Sequence, residues 1–185
     1  MSVQFMRHGM TAWNRQQRIQ GRQDVPLCAE GSKQIEDWLG GEGAVCNWDV
    51  VVSSPLQRAF SSAKRIANVF HIPLRLDSAF TERGFGDIEG LCKEEWAKLT
   101  QGRHPETLEG GEFGVEPLTV LRVRLEEGLE RLRIRHQRDR VLVVTHGSVI
   151  YSLGRWFEEP IHLVENVKIV EFKGALASAH LYAGR

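Results

Sequence analysis

Cysteine is scarce: three occur in 185 residues, at positions 28, 46 and 92. An odd number without CxxC spacing argues against both a disulfide framework and a cysteine-based zinc site, and fits a reducing compartment. An excess of charge of either sign is missing too, because 24 Lys+Arg balance 24 Asp+Glu. Such a chain offers no global field for nucleic acid or an anionic membrane, so any anion it binds must be met by a local cluster. No apolar run approaches the roughly 20 residues of a membrane helix. Residues 1–6 run directly into Arg7-His8-Gly9, without the basic stretch and long apolar core of a signal peptide. Internal repeats and low-complexity tracts are also lacking. A cytoplasmic protein is expected.

What is present is an ordinary globular composition, 42% hydrophobic and 26% charged, on a chain of one domain's usual length. A single domain over 1–185 is the expectation. Short β-branched runs alternate with stretches of helical period, which predicts an α/β sheet. Strands are expected at 3–6, 50–53, 74–76 and 141–145, with a terminal hairpin from 168–172 and 177–182 turning at Lys173-Gly174. After the second strand a helix is expected to start with Ser54 as cap, Pro55 in the first position and Gln57 completing a capping box. Ala59, Ala63, Ile66, Ala67 and Phe70 then face the sheet, and Arg58 falls in the first turn beside unpaired backbone N–H groups. Leu118, Leu121, Leu125, Leu129 and Leu132 form the apolar stripe of a second helix over 117–136. The arginines near its end, 131, 133, 135 and 138, read as a solvated face that complements the helix dipole. Residues 86–116 have weak periodicity apart from a short helix near 93–99, and read as a cap over a site.

Two His-Gly pairs occupy equivalent places: His8-Gly9 ends the first predicted strand and His146-Gly147 the fourth. Ligands of open α/β sheets lie outside the carboxyl ends of strands, so two strands ending in histidine suggest one shared pocket. Histidine beside Arg7, with Arg58 supplied from a helix start, is a sound receptor for a phosphate dianion. A neutral imidazole can attack phosphorus while surrounding cations stabilise the equatorial oxygens; His8 is the candidate nucleophile. A metal centre on His8 and His146 is the competing reading, because histidine is the commonest transition-metal ligand. Arg7 and Arg58 would repel a divalent cation there, and no third soft ligand has suitable spacing. No metal site is expected.

An Arg-His-Gly triplet alone proves nothing. Here it is followed in order by Thr11 and Asn14, Gly21, Asp24 to Leu27, Ser53-Ser54-Pro55-Leu56, Arg58-Ala59, Glu82 and Thr145-His146-Gly147. In that combination the chain resembles the histidine phosphatase superfamily, the phosphoglycerate-mutase-like group, from the first strand to at least Ile150. The resemblance implies a three-layer α/β/α sandwich around a mostly parallel sheet, and a phosphohistidine intermediate. It implies His8 as nucleophile, Arg7, Arg58 and His146 as the phosphate pocket, Asn14 as a further phosphate contact, and Glu82 as proton donor. Gly21, Arg83 and Gly147 are further candidates for substrate binding. An alkoxide is a poor leaving group, so the chemistry needs such a donor.

Within that group, Phe85-Gly86-Asp87-Ile88-Glu89-Gly90 and Gly110-Gly111-Glu112 resemble the short phosphatase branch. The mutases usually carry a longer insertion after the acid, with paired arginines, and a tail after the last strand. Between Gly84 and Leu121 this chain has only Lys93, Lys98 and Arg103 as cations. The chain departs from the branch at Phe113, where serine is frequent, at Arg22, where an aromatic is common, and at Met10, where many members are acidic. Arg83 follows the acid as in mutases, where it could grip a carboxylate or second phosphate. The resemblance therefore implies a metal-independent phosphomonoesterase, needing no cofactor, acting on a small phosphorylated metabolite. A cofactor-dependent phosphoglycerate mutase and a non-catalytic phospho-ligand module are the alternatives. No nucleic-acid or membrane partner is expected, and monomer and homodimer both stay open.

Overall fold

The valine-rich runs pair into one five-stranded sheet in a computed structural model that describes residues 1–161 and 164–173. In chain order the elements are β1 (Ser2–Arg7), α1 (Ala12–Arg15), α2 (Ala29–Gly40), β2 (Val50–Ser53), α3 (Gln57–Phe70) and β3 (Leu74–Leu76). There follow α4 (Lys93–Leu99), α5 (Leu118–Arg135), β4 (Arg140–Thr145), α6 (Gly147–Trp156) and β5 (Ile169–Glu171). The strand order is β3-β2-β4-β1-β5, parallel except for β5, which runs antiparallel to β1.

Alternation along the strands decides which helices cover which face. Val3 and Phe5 of β1, Val50 and Val52 of β2, and Val141 and Val143 of β4 pack on one side with Leu121, Leu125, Leu129 and Leu132 of α5 and Val149, Ile150 and Leu153 of α6. Met6, Val51, Leu142 and Val144 face the other side, against Ile35 of α2 and Ala59, Ala63, Ile66 and Ala67 of α3. The result is the expected α/β/α sandwich with a mostly parallel centre.

One expectation is corrected. Helix α3 begins at Gln57 rather than at Pro55, with Leu56 as its cap residue. Its first free N–H, that of Gln57, is met by Asp24 Oδ1 at 2.7 Å, from a segment distant in sequence. Ser54 accepts from Leu56 N–H at 3.3 Å and turns its hydroxyl to His146. Further along, the expected strand at 168–172 is found over 169–171, paired with β1; the hairpin partner expected at 177–182 lies outside the described residues.

Residues 84–116 pack around a small core of their own, formed by Phe85, Ile88, Trp96, Leu108 and Val115. Arg83 fastens this layer. Although fully buried, it carries its guanidinium to three carbonyls, those of Glu116 at 3.0 Å, Glu106 at 3.4 Å and Leu108 at 2.5 Å. Glu89 ties the layer to the loop before α2, accepting from the Arg22 and Phe85 N–H groups at 2.9 Å each and from Gln23 at 3.0 Å. Among the described residues, no helix is long and apolar enough to cross a membrane.

Candidate active site

Strand register brings the two histidines together. Arg7 of β1 stands opposite Thr145 of β4, so His8 and His146 leave neighbouring parallel strands at the same level. Their rings lie 5.2 Å apart, edge to face. Strand β2 ends one position away on the other side of β4, and this places Ser54 Oγ 2.8 Å from His146 Nε2. A cavity of about 650 Å³ opens at these strand ends, lined by Arg7, His8, Asn14, Gly21, Arg58, Glu82 and Gly147 among others.

Two hydrogen bonds fix the tautomer of His8. Its Nδ1 lies 2.7 Å from the Gly9 carbonyl oxygen, which can only accept, so Nδ1 carries the proton. Its Nε2 faces Arg58 Nε at 3.2 Å, and a guanidinium can only donate, so Nε2 keeps its lone pair. The ring is 2% exposed. Burial, then the charges of Arg58 and Arg7, hold its pKa well below the usual imidazole value. The result is a neutral imidazole whose lone-pair nitrogen sits beside a cation.

Arg58 is itself held rigidly. Its Nη1 donates to the Gln23 carbonyl and its Nη2 to the Gly21 carbonyl, both at 2.7 Å. Gly21 thus serves through its backbone, at φ +51°, and a Cβ there would come within 2.0 Å of Glu89 Oε1. Arg7 donates through Nη1 to Val164 O at 2.5 Å. Among the described residues, Arg7 Nε and His146 Nδ1 are the two buried side-chain polar atoms without a partner. Arg7 lines the cavity, where an anionic ligand would meet its Nε. His146 is fully buried behind the cavity wall rather than in it, and burial followed by Arg58 and His8 keeps its ring neutral.

Asn14 lines the cavity and also closes α1. Its Oδ1 accepts from Thr11 N–H at 3.1 Å and from the Thr11 hydroxyl at 3.1 Å, in a capping box with Thr11. Only its amide NH₂ is left to meet an anion. Gly147 opens α6 at the cavity, where a Cβ would sit 3.7 Å from the Arg7 guanidinium.

Glu82 is 8% exposed, and its carboxylate accepts from the N–H groups of Arg83 at 2.9 Å and Ser148 at 3.4 Å. Burial raises its pKa, against the opposing pull of Arg58 and Arg7. Arg124 of α5 steadies the backbone leading to it, donating to the carbonyls of Ala79, Thr81 and Glu82. Arg83, expected as a substrate contact, does not line the cavity: its donors reach cap carbonyls, and its guanidinium lies 5.6 Å from the Phe85 ring.

Sequence reasoning missed Glu106. It lies in the 3₁₀ turn Pro105–Thr107 of the cap, lines the cavity, and accepts the Ser148 hydroxyl at 2.5 Å. Burial and the neighbouring charge of Glu82 push its pKa up to about 7. No periodicity or motif marks it; the only hint was its place in a segment read as a cap.

Fold and site together define a class. Residues 3–180 match the histidine phosphatase superfamily (branch 1), and the chain belongs to it. Among curated relatives it is 37% identical to "Uncharacterized phosphatase PhoE" of Bacillus subtilis, over 82% of this chain and 75% of that protein. It is 34% identical to phosphoglycerate mutase-like protein 4 of Arabidopsis thaliana, over 82% of this chain and 68% of that one. Among solved structures, Bacillus stearothermophilus YhfR superposes with a TM-score of 0.75 at 27% identity, covering 86% of this chain and 81% of that one.

Proposed function

We propose that this chain is a metal-independent phosphomonoester hydrolase that works through a phosphohistidine on His8 Nε2. The observation that carries the reading is the neutral His8 ring, which lines the cavity and has its lone-pair nitrogen against Arg58. In the first step Nε2 attacks phosphorus, the ester P–O bond breaks, and the leaving alkoxide takes the proton of Glu82. Arg7, Arg58 and Asn14, which line the cavity, meet the equatorial oxygens as charge develops on them, with the buried His146 ring packed against His8. In the second step water attacks the phosphohistidine, Glu82 takes its proton, and the P–N bond breaks to release inorganic phosphate and His8. Arg7 and Arg58 supply the positive charge that a metal would otherwise bring, which supports catalysis without one.

Hydrolysis is favoured over mutase chemistry by two placements. A mutase must hold a second anionic group, yet Arg83 faces the cap carbonyls, and Glu106 contributes a carboxyl to the cavity wall. The name of the Bacillus subtilis relative supports the same reading. Retention of both His8 and Glu82 at one cavity favours catalysis over mere binding. We read the substrate as a small phosphorylated metabolite and the chain as one cytoplasmic domain capped by residues 86–116; the unbridged Cys28, Cys46 and Cys92 support that compartment.

A phosphomonoester panel assayed with chelator present, beside His8→Ala, tests this. Phosphate release is expected with the wild-type chain, with a loss of about 10³-fold or more in the variant. Quenching a reaction with labelled substrate is expected to trap an acid-labile, alkali-stable adduct. Release that needs a metal, or that survives loss of His8, overturns the proposal.

A further inference from the structure

Building on the hydrolase reading, we propose that Glu106 is a positioning partner of Glu82: the two carboxyls, bridged by Ser148 at the start of α6, hold one shared proton at the cavity. Ser148 is what couples them. Its N–H donates to Glu82 Oε2 at 3.4 Å while its hydroxyl donates to Glu106 Oε1 at 2.5 Å. Both carboxyls line the cavity. One comes from the segment after β3 and the other from the cap, so the pair exists only when the cap is seated.

Two buried carboxylates at one cavity cannot both ionise freely, and the first charge raises the proton affinity of the second group. The groups facing the pair act in opposite senses. Arg7 and Arg58 favour ionisation of Glu82, and Arg7 and Arg83 that of Glu106. Arg124 adds positive charge at the Glu82 carbonyl. His8 and His146 are kept neutral by burial, and His104, two residues from Glu106, is also shifted toward neutrality. Desolvation outweighs the arginines at both carboxyls, and the charge of Glu82 adds to the rise at Glu106.

The arrangement suits both halves of the reaction. With one proton on the pair, Glu82 can protonate the alkoxide as the P–O bond breaks. The pair is then doubly charged, which makes Glu82 a better base toward the attacking water, and the proton taken from that water restores the starting state.

The test is a pH titration by NMR of protein labelled at the glutamate carboxyl carbon, with Glu82 assigned by Glu82→Gln, read beside the pH profile of kcat/KM on an alkyl phosphate. In the wild type, two coupled steps are expected. In Glu106→Gln the Glu82 midpoint is expected to fall by about one pH unit or more, and the alkaline limb of kcat/KM to move down with it. Glu106→Asp is expected to restore most of the shift. Ser148→Ala, which keeps both carboxyls and loses the hydroxyl that donates to Glu106, is expected to raise the affinity of Glu106 for its proton, and serves if Glu106→Gln fails to fold. An unmoved Glu82 midpoint in a folded Glu106→Gln, or an unaltered titration of both carboxyls in Ser148→Ala, overturns the proposal. A chain that shows the coupled titration but releases no phosphate from any ester overturns the hydrolase reading instead.

Discussion

Arg58 and the Gly9 carbonyl leave His8 a single tautomer, and the pH behaviour of the ring follows from its burial. Because its pKa lies well below 6.5, the folded chain binds fewer protons there than the unfolded chain. Its contribution to stability is therefore present above about pH 6.5 and lost as the pH falls below that value. A ¹⁵N-edited NMR titration is expected to show Nε2 unprotonated at pH 6, and a protonated ring at that pH would contradict the assigned geometry. Glu82 is tested by leaving group. Glu82→Gln is expected to slow an alkyl phosphate by about 10²–10⁴-fold but to slow nitrophenyl phosphate far less, because nitrophenolate needs little protonation. Equal losses on both would remove Glu82 from the role of acid.

The elements were legible wherever period and composition spoke for themselves, as in the valine strands and the leucine stripe of α5. They were illegible where a distant segment supplied the partner. Ser54, Pro55 and Gln57 spell a helix start, yet Asp24 from another loop caps α3, freeing the Ser54 hydroxyl for His146. Arg83 follows the acid in sequence, but neighbouring side chains of a non-helical segment point to opposite sides, and this one enters the cap. Glu106 lies in turns with no repeat to betray their placement. Replacing Arg83 by methionine tests the fastening of the cap. With the buried carbonyls of Leu108 and Glu116 left without it, a loss of about 1–3 kcal/mol is expected, read by denaturant unfolding together with faster hydrogen exchange over 104–116. Gly128→Ala sets two effects against each other at α5. Helix propensity favours alanine by up to ~1 kcal/mol, but its Cβ would stand 2.7 Å from the Ala79 Cβ and 3.0 Å from Phe80 Cζ. Overpacking of about 1–3 kcal/mol is expected to win, so the variant should melt lower.

At the scale of the whole molecule, the buried histidines and the buried acids pull stability in opposite directions with pH. Glu106, raised from 4.5 to about 7, is protonated more readily in the folded chain than in the unfolded one. Stability from this group is thus complete below about pH 4.5 and declines as the pH rises through 7, the reverse of the histidine contribution. Thermal melts of Glu106→Gln are expected to be less sensitive to pH between 5 and 8 than those of the wild type, with a melting temperature higher by a few degrees at pH 8. An unchanged slope would mean that Glu106 is ionised throughout.

Two segments far apart in sequence meet at the nucleophile. Val164 O receives Arg7, Asn166 Nδ2 donates to the His8 carbonyl at 2.7 Å, and Val167 N–H donates to the Arg7 carbonyl at 2.9 Å. A ribosome therefore makes the reactive dipeptide well before its clasp, because 158 residues separate His8 from Asn166. Until translation passes Val167, the nascent polypeptide carries a histidine whose arginine has no anchor, so premature release yields a protein that still has every reactive side chain named above but not the grip that aligns them.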